Sequence, residues 1–103
     1  IYRVPFTGKT QAGGAFTLDV EQTATKHQLS VECAGSPTTG TLAVQVRDPD
    51  RATFEALLDE AGNALTIDMT DPATVTLEGV YAQVRLTPSS FNGTTYSGGL
   101  KGW

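Results

Sequence analysis

The chain is dominated by strict alternation of apolar and polar residues, the two-residue period of a strand with one buried face. Over residues 15–20, Phe16, Leu18 and Val20 alternate with Thr17 and Asp19. Over 28–33, Leu29, Val31 and Cys33 alternate with Gln28, Ser30 and Glu32. The pattern recurs over 41–47 (Leu42, Val44, Val46), 64–70 (Leu65, Ile67, Met69) and 80–87 (Val80, Ala82, Val84, Leu86). Two weaker strands are predicted over 74–78 and 94–100. Each strand buries one face and leaves the other wet, as antiparallel sheets do.

Turn residues separate these runs at near-regular spacing: Gln11 to Gly14, Gly35-Ser36-Pro37, Asp48-Pro49-Asp50, Gly62-Asn63, Asp71-Pro72, Glu78-Gly79, and Pro88 to Gly93. Glycine supplies positive φ, proline presets φ, and Asp or Asn closes local side-chain turns. Short strands punctuated in this way predict an all-β, antiparallel β-sandwich of seven to nine strands, immunoglobulin-like or jelly-roll-like. Residues 1–103 read as one domain, with 1–6 as an N-terminal arm. Residues 50–62 are ambiguous, because Phe54, Leu57 and Leu58 have helical spacing and Gly62 can end a helix. The reading taken is a strand over 53–59 that turns at Gly62-Asn63 into the strand over 64–70, in keeping with the other elements.

Composition narrows the function classes. The chain has 103 residues, 39% hydrophobic and 17% charged, which argues against both disorder and a coiled coil. Its apolar runs are far shorter than a membrane-spanning helix needs. Net charge is −4, and the seven basic residues are scattered, a poor arrangement for gripping nucleic-acid phosphates. The charge is also uneven: residues 48–71 hold seven acids against Arg51, a net of −6, which leaves +2 for the rest. Such asymmetry suits directional docking on a partner.

Candidate chemistry is sparse. His27 is the sole histidine and Cys33 the sole cysteine, so this chain alone supplies neither a disulfide nor a His- or Cys-rich metal site. His27 reads as a surface residue at a strand start, and Cys33 as a small core residue in phase with Leu29 and Val31. The acidic turns at Asp48-Pro49-Asp50 and Asp68 to Asp71 lack the ligand density of a calcium loop and read as solvated turns. No catalytic residue, metal site or cofactor is assigned. The lone cysteine, with opening residues too short in apolar length for a secretory signal, points to synthesis in a reducing cytosol. Tyr81, Gln83 and Arg85 share the polar face of the strand over 80–87, and Tyr and Arg are frequent interface anchors. Trp103 is an aromatic that needs a surface to pack on.

The most specific wording lies in the C-terminal third: Thr76-Leu77-Glu78-Gly79-Val80-Tyr81-Ala82-Gln83-Val84-Arg85-Leu86-Thr87-Pro88, then Phe91-Asn92-Gly93-Thr94-Thr95-Tyr96, and Gly102-Trp103. This resembles small all-β structural proteins from the virions of tailed bacteriophages. The resemblance implies a non-enzymatic virion component assembled in the bacterial cytoplasm. Its chief expectation is a capsid decoration (cement) protein on the major capsid protein lattice, present as a homo-oligomer, a trimer for instance, or in many copies. A neck or tail position is an alternative. A carbohydrate-binding or host-adhesion module is another, with Tyr2, Tyr81, Tyr96 and Trp103 as its platforms. The candidate partner-binding residues are Ile1, Tyr2, Arg3, Val4 and Phe6 of the arm, with Tyr81, Arg85 and Trp103. An arm of this kind implies that a chain lacking residues 1–6 still folds but no longer docks.

Overall fold

The computed structural model describes residues 1–103. Nine strands and no helix make up the chain: β1 (Tyr2–Lys9), β2 (Phe16–Asp19), β3 (Lys26–Cys33), β4 (Thr41–Arg47), β5 (Glu55–Ala56), β6 (Thr66–Asp68), β7 (Ala73–Glu78), β8 (Gln83–Ser89) and β9 (Tyr96–Gly102). They form two antiparallel sheets packed as a sandwich. One has the order β1-β9-β3-β7; in the other, β2-β8-β4 is completed by β5 and β6, which share the far side of β4. The core lies between them. Leu29 and Leu100 from the first sheet and Leu42, Val84 and Leu86 from the second are wholly buried. Each is worth about 1.5–3 kcal/mol relative to exposure.

β1 is an integral edge strand, and the arm expected over residues 1–6 is replaced by it. Tyr2, Val4 and Phe6 alternate inward and pair with Gly102, Leu100 and Gly98 of β9. The physical reason is that β9 carries glycine where β1 carries an aromatic ring. A Cβ on Gly102 would lie 2.2 Å from Cε1 of Tyr2, and one on Gly98 would lie 1.9 Å from the Ser30 carbonyl oxygen and 3.0 Å from Cζ of Phe6. The two rings occupy the space those glycines leave. Phe6 continues into an aromatic cluster, 5.2 Å from Phe16 and 6.2 Å from Tyr96 between centroids.

The ambiguous segment is extended, but differently from the hairpin expected. β5 pairs with Gln45 and Val46, and β6 pairs with Thr41 to Ala43, so the two lie in line along β4 as one interrupted strand. Between them residues 57–65 leave the sheet as a small hairpin. Leu57 N–H donates to Val44 O, and Val44 N–H donates to Leu65 O, both at 3.3 Å. The excursion closes on itself through Leu65 N–H to Leu57 O at 2.7 Å and Asp59 N–H to Asn63 O at 2.7 Å. Asp59 accepts from the amides of Ala61 and Asn63, and Gly62 takes φ of 84° at the tip.

Three further readings shift. Alternation places Val80 with the core-facing residues, but β8 begins only at Gln83 and Val80 is 43% exposed in the preceding turn. Tyr81 therefore does not share a face with Arg85. Phe16 and Leu65 sit at the rim of the core, half-buried, as does Cys33.

Two substitutions on β8 test the register. Val84 is wholly buried, so Val84→Asp places an unpaired carboxylate in the core and is expected to abolish folding. Gln83 lies on the outer face, hydrogen-bonded to Asp19 and Arg47, and Gln83→Asp is expected to cost only about 1 kcal/mol. Removing residues 1–6 takes Phe6 and Tyr2 out of the interior, and is expected to lower stability by at least the ~3–5 kcal/mol of a core Phe→Ala change. Urea unfolding followed by circular dichroism checks all three.

Candidate functional site

The side chains singled out from the sequence separate into three places. Tyr2, Val4 and Phe6 face the interior, and Phe6 is a core residue. Arg85 lies on the outer face of the second sheet, where its Nε–H donates to Gln45 Oε1 at 2.7 Å and its guanidinium stacks 4.4 Å from the Phe54 ring centroid. Gln83 and Arg47 continue that polar ladder, with Arg47 Nε–H donating to Gln83 Oε1 at 3.2 Å and Gln83 donating to Asp19 at 2.9 Å. Ile1, Arg3, Tyr81 and Trp103 lie elsewhere, on or beside one end of the first sheet.

That end is organised by a residue that its place in the sequence assigns to the surface. His27 is fully buried. One of its ring nitrogens, Nε2, lies 2.9 Å from the Gly79 carbonyl oxygen, which can only accept, so Nε2 carries a proton. The other, Nδ1, receives the Tyr2 hydroxyl at 2.5 Å. The ring lies close to two aromatic rings, Tyr2 at 5.7 Å and Tyr81 at 5.5 Å between centroids, both tilted to it. Tyr81 in turn donates its hydroxyl to Glu78 O, and Gly79 N–H donates to Thr25 O at 2.8 Å. Gly79 takes φ of 131°, a conformation that suits glycine, and a Cβ there would lie 2.6 Å from the Tyr81 hydroxyl oxygen.

The clamp shapes what faces solvent. Trp103 N–H donates to Lys26 O at 3.0 Å, which seats the last strand's end beside the start of β3. Of the four large apolar side chains that stand exposed (Ile1, Leu58, Val80 and Trp103), three gather at this end, with Trp103 52% exposed. A shallow hollow of about 280 Å³ runs between Ile1, Gln28, Lys101 and Trp103. A second, of about 310 Å³, follows β9 past Arg3, Ser30 and Lys101, where Gly99 leaves the outer face low. Around these apolar side chains lie Arg3, Lys26 and Lys101 together with Glu21, 4.0 Å from the Ile1 amino group, and Glu78, the ladder partner of Lys26, so the border is one of mixed charge.

The chemistry of these groups is conservative. Both nitrogens of His27 are engaged. Burial, with Glu32 next to it, pushes the Cys33 thiol above its ordinary range and keeps it protonated at neutral pH. Hydrogen bonds from the Thr70 amide and hydroxyl hold the exposed Asp68 carboxyl below its ordinary range. No three His, Cys, Asp or Glu side chains converge as metal ligands. Of the four aromatic rings considered as sugar platforms, Tyr2 and Tyr81 are half-buried with their hydroxyls committed, and Tyr96 is 1% exposed. Only Trp103 remains as an open platform.

No protein-family model matches the chain, and no curated protein is detectably similar to it.

Alkali and one substitution probe the aromatic interior. Burial, followed by the charge of Glu21, pushes the Tyr2 phenol up to about 12; burial, followed by Cys33, does the same for Tyr96. The fold therefore favours the neutral phenols. Their stabilisation is complete below the ordinary phenol value of 10.0 and is lost as pH climbs toward about 12. Thermal melts across that window are expected to show the loss. The Tyr96 hydroxyl is buried without a hydrogen-bond partner, so Tyr96→Phe is expected to raise stability by about 1 kcal/mol at neutral pH and to blunt the alkaline loss. Tyr2→Phe leaves Nδ1 of His27 without its donor and is expected to cost ~1–3 kcal/mol in the same assay.

Proposed function

We propose that this chain is a non-enzymatic structural protein of a tailed-bacteriophage virion that decorates the capsid by docking on the lattice of the major capsid protein. The observation that carries the reading is the end of the sandwich where Ile1, Val80 and Trp103 stand exposed beside a rim of mixed charge, held in place by the His27 clamp. The wording of the C-terminal third supplies the phage context. Much of that wording serves the fold itself. Val84 and Leu86 are core, and Phe91 packs edge-on against Tyr96 at 5.6 Å. Asn92 accepts from the amides of Thr38 and Thr39 and so ties two loops together. A fold that spends its recognisable residues on rigidity, and gathers three of its four exposed large apolar side chains at one end, suits a part repeated many times on a shell. Many weak contacts on a lattice sum to firm attachment. A neck or tail position uses the same surface with fewer copies.

A sugar-binding role is the weaker reading, because three of its four candidate rings are turned inward or committed.

Binding to undecorated particles tests the proposal. Trp103→Ala and Val80→Glu alter exposed side chains, so both variants are expected to fold as the parent does. Each is expected to weaken docking by about tenfold, the loss of ~1.4 kcal/mol. Exposed charges are screened over about 8–10 Å at ordinary salt, so added salt is expected to weaken docking only modestly. Full occupancy by both variants would move the docking surface elsewhere, and sugar-specific binding on a glycan array would favour the adhesion reading.

A further inference from the structure

A sandwich of two open sheets has four edges, and three of them are blunted. On β1, Pro5 lacks an N–H, and the register breaks between Phe6 and Lys9, where Gly8 takes φ of 62°. β2 is only 4 residues long. The β5–β6 edge is interrupted by the hairpin at 57–65. β7 has none of these devices. Its 6 residues, Ala-Thr-Val-Thr-Leu-Glu, contain no proline, glycine or lysine and pair with β3 without a break.

The hydrogen-bond phase shows which backbone groups face outward. Gly79 N–H donates to Thr25 O, so by alternation Leu77, Val75 and Ala73 bond to β3. Thr74, Thr76 and Glu78 then turn their N–H and C=O groups to the open side. The Glu78 carbonyl is met there by the Tyr81 hydroxyl, and the other five groups stand free.

Beside this edge runs a groove of about 440 Å³ between β7 and the hairpin, lined by Leu57, Leu58, Glu60, Leu65 and residues 76–78. Leu58 is 65% exposed. Free strand hydrogen bonds and an apolar trough thus lie side by side. The surroundings carry more acid than base: Glu60 and Glu78 line the groove, Lys26 is the ladder partner of Glu78, and the hairpin belongs to the segment that carries the net −6. The nearby Arg51 is already paired with Glu55.

We propose that β7 is a docking edge to which an extended, alternately apolar and basic segment of a partner protein adds as a fifth strand. Strand pairing supplies the main-chain hydrogen bonds. The added strand's inward side chains rest on Leu57, Leu58 and Leu65, so they are apolar. Its outward side chains lie beside Thr74, Thr76 and Glu78, so hydroxyl and basic residues fit there. Charge complementarity selects a Lys- or Arg-bearing segment over an acidic one. This surface adjoins the apolar end at Glu78, two residues before Val80, and the inference holds whatever assembly the partner belongs to.

The test uses the whole chain, labelled for amide hydrogen exchange, and a synthetic peptide of alternating valine and lysine. Exchange at Thr74, Thr76 and Glu78 is expected to slow by about tenfold or more when the peptide is bound. Thr76→Pro removes an outward N–H without touching the β3 ladder, and Leu58→Glu alters an exposed side chain, so both variants are expected to keep the parent's circular dichroism. Each is expected to weaken peptide binding by about tenfold. Unchanged exchange at the three amides, or undiminished binding by Thr76→Pro, would overturn the proposal. So would equal binding of a valine–glutamate peptide. Slowed exchange that grows with protein concentration in the absence of peptide would assign the edge to a second copy and overturn the partner-segment reading.

Discussion

The packing of the Tyr2 ring over Gly102 is the contact on which one whole end of this molecule depends. Without a side chain at Gly102, β9 leaves room for an aromatic from β1, and the ring that fills it carries a hydroxyl to His27. His27 then holds the Gly79 carbonyl, which fixes the turn after β7. The Tyr81 ring packs against the same imidazole, 5.5 Å away between centroids. An imidazole out of reach of water is costly unless both nitrogens have partners, and here each has one. Three segments are joined by one side chain, and the exposed Val80 and Trp103 are held at fixed positions around it.

Much of the sandwich is legible from alternation. β4 and β3 lie almost where the two-residue period predicts them, because both are central strands whose buried face is lined by Leu42, Val44 and Val46 or by Leu29 and Val31. Edge elements are harder to read. Tyr2, Val4 and Phe6 alternate correctly, yet residues 1–6 read as a free arm until Gly98 and Gly102 are seen opposite. Val80 keeps the period of β8 yet stands before its first paired residue, so periodicity alone overextends that strand. The leucines of 57–65 satisfy either a helix or a strand, and what decides is β4, which has room for both legs of the interrupted strand.

The site is less legible than the fold. His27 looks like any polar residue at a strand start, because its partners lie 25 and 52 residues away in sequence. A lone histidine bracketed in space by two tyrosines and a glycine carbonyl leaves no local signal. The open edge of β7 is likewise a property of topology: its six residues look ordinary until the other three edges are seen to be guarded. Charge asymmetry is the one site feature that the residues convey directly, and the structure spreads it: Asp59 and Glu60 sit on the hairpin, whereas Asp48 follows Arg47, whose carbonyl accepts from Ala82 N–H close to Val80.

A surface with an apolar end and one unguarded edge is suited to contact with other proteins in an ordered array, and the proposal is that this array is a phage capsid. Quantitative mass spectrometry of purified virions, scaled to the major capsid protein, tests it most directly. Decoration of the lattice requires copies in the hundreds, in fixed ratio to the major capsid protein. A dozen copies or fewer, or none in the purified particle, would contradict it.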